Sequence, residues 1–366
     1  MNQRLALRVL DKVMKWDTER ATKEFGWLSL MADFKYDSYR DYVAGARFIE
    51  SLAHWLQQFE QSEREVAYMF VRKHIVFIGL GEIQHLIERV YAKIVHPNLV
   101  AATAGQLSIP PWQIWADERG QKTYDLLKRK TLFFALSDGA RIDVFRRANS
   151  GRISNEQVVL ATQINKTKWD SLLEKLRGEL KDQDATFQNV YLLDDFVATG
   201  TTLLRKEEGI WEGKLQRFWD DTREVMDSHF QTEWNLHVHH YVSTHKASQD
   251  IDARNSEASR EKTSKQWFKN IVFSFGTVLP EALPANSERD AEFLKLVNKY
   301  YDPAIQTKHT DLGGKDVRLG FGGSALPVII EHNTPNNSIA LLWADTNGAQ
   351  GVHAMRPLFR RRQRHS

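Results

Sequence analysis

Cysteine does not occur among the 366 residues. Its absence excludes disulfide staples, thiolate metal sites and a cysteine nucleophile, and suits a reducing, cytoplasmic setting. No apolar run approaches the ~18 residues that a membrane span requires, so no membrane partner is expected. The stretch Met1 to Trp16 is charged throughout and lacks the apolar block of a secretory leader. Charge of one sign is scarce as well: 50 basic against 47 acidic residues leave +3, too little for a global polycation. There is no internal repeat, no long low-complexity linker, no Gly-x-Ser-x-Gly elbow and no P-loop lysine. Gly79-Leu-Gly81 lacks the third glycine and the later acid of a dinucleotide loop. Glu82 and His85 have carboxylate-bridged metal spacing, but the pair has no second copy.

What remains is an apolar fraction of 42%, enough for a real core. The first third reads helical. Tyr42, Ala46, Ile49, Leu52, Leu56 and Phe59 recur at three or four residues and predict one helix face. Ser62 with Glu65 has the form of a capping box. His74 to Val95 reads as a buried helix weakened by Gly79 and Gly81 and stopped at Pro97. Beyond Pro110-Pro111 the pattern alternates. Thr131–Leu136 reads as a strand, Ser137–Arg141 as a turn and Asp143–Arg147 as the start of a helix. Ser154 with Gln157 is a second capping-box match, making Ser154–Ile164 look helical, and Trp169 to Leu180 mark an amphipathic helix. Further strands are expected at 234–242, 271–275, 326–331 and 339–343, and helices near 215–226 and 290–300, with 246–265 a solvated helix or an excursion. Such alternation predicts a parallel sheet with covering helices. Three segments follow: a helical region 1–125, an α/β domain 126–345 and a basic tail 346–366.

The most informative stretch is Asn189-Val-Tyr-Leu-Leu-Asp-Asp-Phe-Val-Ala-Thr-Gly-Thr-Thr202. Val190 to Leu193 predict a buried strand, and Asp194 and Asp195 fall at its C-terminal edge, where open α/β sheets bind ligands. Thr199, Gly200, Thr201 and Thr202 would offer amides and hydroxyls at a helix N-terminus, a setting that suits a phosphate monoester. Gly200 lets backbone approach the anion.

This pattern resembles the 5-phosphoribosyl-1-pyrophosphate (PRPP) motif of type I phosphoribosyltransferases. The resemblance implies a phosphoribosyltransferase-like parallel sheet with covering helices, here preceded by an α-helical region. It implies that Asp194 and Asp195 hold the ribose 2′- and 3′-hydroxyls, directly or with Mg²⁺, and that Ala198 to Thr202 cradle the 5′-phosphate. In that fold the loop after the first strand of the domain holds the leaving diphosphate. Here it is Ser137-Asp138-Gly139-Ala140-Arg141, where Gly139 permits a tight turn and Arg141 is a bidentate donor for phosphate oxygens. Asp194, Asp195 and Arg141 are thus the catalytic candidates. Asn333, Asn336 and Asn337, in an amide-rich turn after an apolar strand, are candidates for facing a base or acceptor.

With its helical front and its closing Glu331-His-Asn-Thr-Pro-Asn-Asn-Ser338, the chain resembles the phosphoribosyltransferase-like proteins of prokaryotic conflict systems, including certain retrons. That likeness implies a toxin effector in antiviral defence, restrained by partners such as a reverse transcriptase with its RNA–DNA product. Two alternatives stay open: a non-catalytic nucleotide sensor on the same fold, and a nucleic-acid-binding subunit. Arg356, Arg360, Arg361, Arg362 and Arg364, with a basic helix face at Arg4, Arg8, Lys12 and Lys15, motivate the latter. His237, His239, His240 and His245 form a cluster in which His237 and His239 share a strand face, but no third zinc ligand is evident.

Overall fold

A computed structural model describes residues 3–361, apart from 44, 46, 117, 263–266, 307–313, 315 and 349–352. The chain forms two compact units, Met1–Glu82 with Glu281–Ser366, and Ile83–Pro280. These units follow packing rather than the compositional segments 1–125, 126–345 and 346–366. Among the described residues the strands in chain order are β1 (Val76–Ile78), β2 (Thr131–Ala135), β3 (Val158–Val159), β4 (Phe187–Val197), β5 (Arg205–Glu207), β6 (Ile210–Glu212), β7 (Phe230–Thr244), β8 (Asn270–Leu279) and β9 (Val328–Ile330).

The Ile83–Pro280 unit carries the expected α/β fold. Its five-stranded sheet runs β3-β2-β4-β7-β8, every neighbouring pair parallel. Parallel strands buried on both faces are apolar almost without a break, which is why β2 and β4 read as strands from sequence. One face shares a core with Trp169, Leu172 and Leu176 of the helix Lys166–Leu180 and with Leu215 and Phe218 of the helix Lys214–Thr222. On β4, Val190 and Leu192 point that way. Tyr191 points the other way and stacks on Phe133 (5.4 Å) and His237 (4.4 Å), its partners in register on β2 and β7. This ring ladder fixes the register. It aligns Ala135, the end of β2, with Leu193, so the chain leaving β2 must pass beside Asp194 and Asp195.

The other unit gathers the helices Gln3–Met14, Thr18–Phe34, Phe48–Gln57, Arg64–His74 and Ala291–Lys299 around the parallel pair β1–β9. Leu358 and Phe359, in the segment read as a basic tail, lie in its core, 1% and 0% exposed. Their amides donate to Leu342 O, and Tyr42 Oη donates to Leu358 O. The side chains of Arg362 and Arg364 fall outside the described residues.

Several expectations are corrected. The apolar face from Tyr42 to Phe59 is broken between Val43 and Phe48, where Asp37 Oδ1 caps the Phe48 amide; Ala46 lies outside the described residues. Ser62 caps nothing, since the next helix starts at Arg64 with Glu63 at its N-cap position. His74–Val95 holds a strand (β1) and then a helix Leu80–Val90 that continues through a π-turn Tyr91–Val95 into His96–Leu107, so Pro97 lies within the helical run rather than ending it. Val95 and His96 keep right-handed helical φ/ψ, and the wider register of the π-turn, with the His96 amide donating to Tyr91 O, accommodates the proline that follows. The capping box at Ser154 and Gln157 is real, but it closes a single 3₁₀ turn before β3. Ala340–Trp343 is a short helix, not a strand; its residues are buried all round, so periodicity could not separate the two.

Candidate functional site

The acidic pair sits near the C-terminal end of β4, and the Ser137–Arg141 loop wraps against it. Asp194 is 2% exposed, and both its oxygens are taken. Ser137 Oγ donates to Oδ1, which also receives the Asp195 amide at 3.2 Å, while Lys214 Nζ donates to Oδ2. His240 Nε2 lies 3.9 Å from that second oxygen. Burial pushes the Asp194 carboxyl above its usual range; Lys214 opposes the rise and Asp195 adds to it. Asp195 is half-exposed. Its Oδ1 accepts the Phe196 amide at 2.8 Å. Gly139 lies so close that a Cβ there would stand 2.2 Å from Asp195 Oδ2. The loop therefore touches both acids, one through a hydroxyl and one through a missing side chain.

Loop 137–141 is itself pinned. Asp138–Ala140 form a 3₁₀ turn, and Tyr241 Oη on β7 donates to Ala140 O at 2.6 Å. Burial holds the Tyr241 phenol well above its ordinary range, so it remains a donor. Asp138 is exposed and Arg141 half-buried, with Arg141 at φ 45° just ahead of the helix Ile142–Ala148.

After β4 the chain turns sharply at Ala198–Leu204. Leu203 and Leu204 amides both return to Gly200 O, and Thr199 Oγ1 meets Thr201 Oγ1 at 2.9 Å. The N–H groups of Thr199, Gly200 and Thr202 have no acceptor among the described residues. The carbonyls on the other edge are held: Ala198 O by Thr244 Oγ1 at 2.6 Å, Thr199 O by Arg254 Nη1 at 2.5 Å. A trans peptide points its N–H opposite to its C=O, so both contacts turn the Thr199 and Gly200 amides away from the helix His245–Glu261. Consecutive amides turned outward form an anion-binding concavity.

The expected helix N-terminus at Thr199–Thr202 is corrected. One turn forms, and then a β5–β6 hairpin intervenes before the helix begins at Lys214. Glu208 and Gly209 both have positive φ, 48° and 84°, as a two-residue hairpin turn demands. Lys214 and Leu215 amides donate to Thr202 O and Leu203 O, so the helical path resumes where the turn left it. Gly213 allows that closure, since a Cβ would meet Leu203 O at 2.5 Å.

The asparagines lie in the Met1–Glu82/Glu281–Ser366 unit. Asn337 Nδ2 donates to Phe321 O and Ser324 Oγ, and Asn336 O accepts the Phe321 amide, closing a local turn. Asn333 donates its amide to Ile330 O. No cluster of three metal-ligating side chains occurs among the described residues. His237, His239 and His240 are neutral, with burial lowering them to about 4, 4 and 3. His239 Nδ1 lies 2.9 Å from Ser274 Oγ, and His237 Nδ1 lies 3.4 Å from Asn98 Nδ2.

Sequence reading missed Ser137 as an Asp194 partner, and missed Lys214, Tyr241, Thr244 and Arg254 altogether. One signal was available. Ala247, Ile251 and Ala258 make the buried stripe of their helix, and Arg254 falls on that stripe.

A family model described as PRTase-CE matches residues 52–361. No curated protein and no solved structure matches the chain. Among the described residues no helix is long and apolar enough to cross a membrane.

Proposed function

The chain belongs to the PRTase-CE family, and we propose that this site binds a pentose 5-phosphate, as PRPP or a nucleotide, and breaks or exchanges the bond at its anomeric carbon. One observation carries the reading: three amides without acceptors lie on a turn only four to seven residues beyond a half-exposed carboxylate on the same strand end. The turn Ala198–Thr202 takes the 5′-phosphate, and Asp195 takes ribose hydroxyls. The bond from C1′ to its leaving oxygen or nitrogen breaks with the electron pair departing on the leaving group. A nucleophile bonds to C1′ and loses a proton to solvent. The ring gains positive charge on the way, which the Asp195 carboxylate favours. The loop Asp138–Arg141 faces a departing diphosphate with Arg141 as donor. Binding at the turn aligns the reacting carbon.

Asp194 has no oxygen to spare, which leaves Asp195 as the protein carboxylate for a substrate-borne Mg²⁺. A single carboxylate plus substrate oxygens is an ordinary Mg²⁺ donor set. When bound, Mg²⁺ would neutralise diphosphate oxygens. The conflict-system likeness supports an effector that depletes a nucleotide pool. The test incubates the protein with Mg²⁺ and PRPP, NAD or nucleotides and follows products chromatographically. Turnover is expected in the wild type and lost by at least about a hundredfold in Asp195→Asn. Undiminished turnover in that variant defeats the assignment.

The engagement of both Asp194 oxygens favours a second reading, a sensor that binds without turnover. It expects ligand-dependent thermal stabilisation with no product.

A further inference from the structure

We propose that Arg254 makes this site selective for phosphorylated over unphosphorylated pentoses, an inference that rests on the phosphate reading of the turn. Arginine is out of place on the core-facing stripe of a helix, where Ala247, Ile251 and Ala258 are each at most 1% exposed. The Arg254 side chain keeps 24% of its surface exposed, so its guanidinium is partly desolvated, and a charge held there needs partners. The residue is placed so that Nη1 donates to Thr199 O at 2.5 Å. Its protein carboxylate, Asp250, is at 3.5 Å, the outer limit of a hydrogen bond. Asp250 also pairs with Lys246 Nζ at 2.8 Å, so Arg254 makes the longer of that carboxylate's two ion pairs and its shorter contact is with the turn. Gly200 completes the arrangement. Its φ is +73°, and a Cβ would meet Arg254 Nη1 at 2.8 Å and Ile251 Cγ1 at 2.7 Å. Only glycine lets backbone lie directly on the guanidinium.

Two effects follow from one side chain. The hydrogen bond to Thr199 O fixes the peptide plane whose N–H, on Gly200, is directed outward. The positive charge stands behind that plane, on the far side from an anion in the cradle. A dianionic phosphate gains from both effects, and a neutral hydroxymethyl gains from neither. Arg254 is a positioning residue, since it acts through the turn.

The experiment titrates the full chain, wild type, Arg254→Gln and Arg254→Lys, with ribose 5-phosphate, inorganic phosphate and ribose. The readout is the ratio of affinities for ribose 5-phosphate and ribose, which a merely structural role would not move. Arg254→Gln is expected to lower that ratio about tenfold to a hundredfold, as loss of a charged hydrogen-bonding group does. Arg254→Lys keeps charge and stem but not the fork, so it recovers part of the loss and serves if the glutamine variant fails to fold. An unchanged ratio in a folded variant overturns the role of Arg254 while leaving the phosphate reading intact. Absence of phosphate and ribose 5-phosphate binding in the wild type overturns both.

Discussion

Gly139→Ala separates the acidic site from the stability of the fold. The added Cβ would lie 2.2 Å from Asp195 Oδ2, 2.6 Å from Cγ and 3.1 Å from Oδ1. The carboxylate must retreat by roughly 1 Å or more to regain ordinary van der Waals separation. What it meets is the end of a half-exposed side chain, not backbone, and Gly139 is not among the positive-φ residues. The cost is therefore that of driving Asp195 off its rotamer, about 1 kcal/mol. In a unit of this size that lowers Tm by about 2–4 °C. The chemical consequence is larger, because a ~1 Å misplacement of a reacting or anchoring group can cost about a hundredfold. Circular dichroism melts and product formation from PRPP, measured side by side, provide the assay. A well-folded variant with full turnover would refute the claim that Asp195 works from its observed position. A loss of several kcal/mol would show instead that the loop cannot yield, and that Gly139 is there for packing.

Asp194→Asn leaves Lys214, whose side chain is 20% exposed, without its carboxylate and should cost about 3 kcal/mol in denaturant melts, whereas Asp195→Asn should cost less than about 1. Only the second is a clean probe of chemistry. His237 and His239 have folded pKa values lowered to about 4, so the unfolded chain takes up more protons below pH 6.5. Their contribution is complete above that pH and is lost as pH falls toward 4, about 2 kcal/mol per histidine at pH 5. His237→Phe, which keeps the stack on Tyr191, should flatten part of the slope between pH 7 and 5. Phe359→Ala should cost about 3–5 kcal/mol, since the ring is fully buried among Phe48, Tyr39 and Tyr42. Deleting residues 356–366 would therefore unfold before it tested nucleic-acid binding; single substitutions of Arg356 or Arg360, read as salt-dependent affinity, keep the core.

Sequence carried the parallel sheet because β2, β4, β7 and β8 are apolar runs or alternations long enough to read, and because the turn chemistry after β4 is local. It carried the meeting of Ser137–Arg141 with the acids only through likeness to a fold, since residues 57 apart are joined by strand register and not by any sequence period. The hairpin β5–β6 escaped notice because β5 has no apolar residue and β6 buries only Trp211, and Glu208-Gly209 is a weaker turn signal than Asn-Gly.

That Asp194 and Asp195 face opposite ways follows from strand alternation, but which of them is buried and by what partner could not be read. Adjacent strand residues project to opposite faces, so one identical pair of letters meets two environments. One face brings the Lys214 ammonium, twenty residues on, by way of a helix whose path is interrupted and resumed. The other brings a glycine against the carboxylate and leaves it partly open. Two carboxylates side by side in water would repel and stay ionised together. Here Lys214 offsets one of them inside the protein, which lets the other approach a ligand without the full repulsion of its neighbour. The buried acid thus serves the exposed one. On this account Lys214→Met should raise the electrostatic cost of placing phosphate oxygens near the pair and weaken ribose 5-phosphate more than ribose. Equal weakening of both ligands in a folded Lys214→Met protein would mean that Lys214 supports only the scaffold.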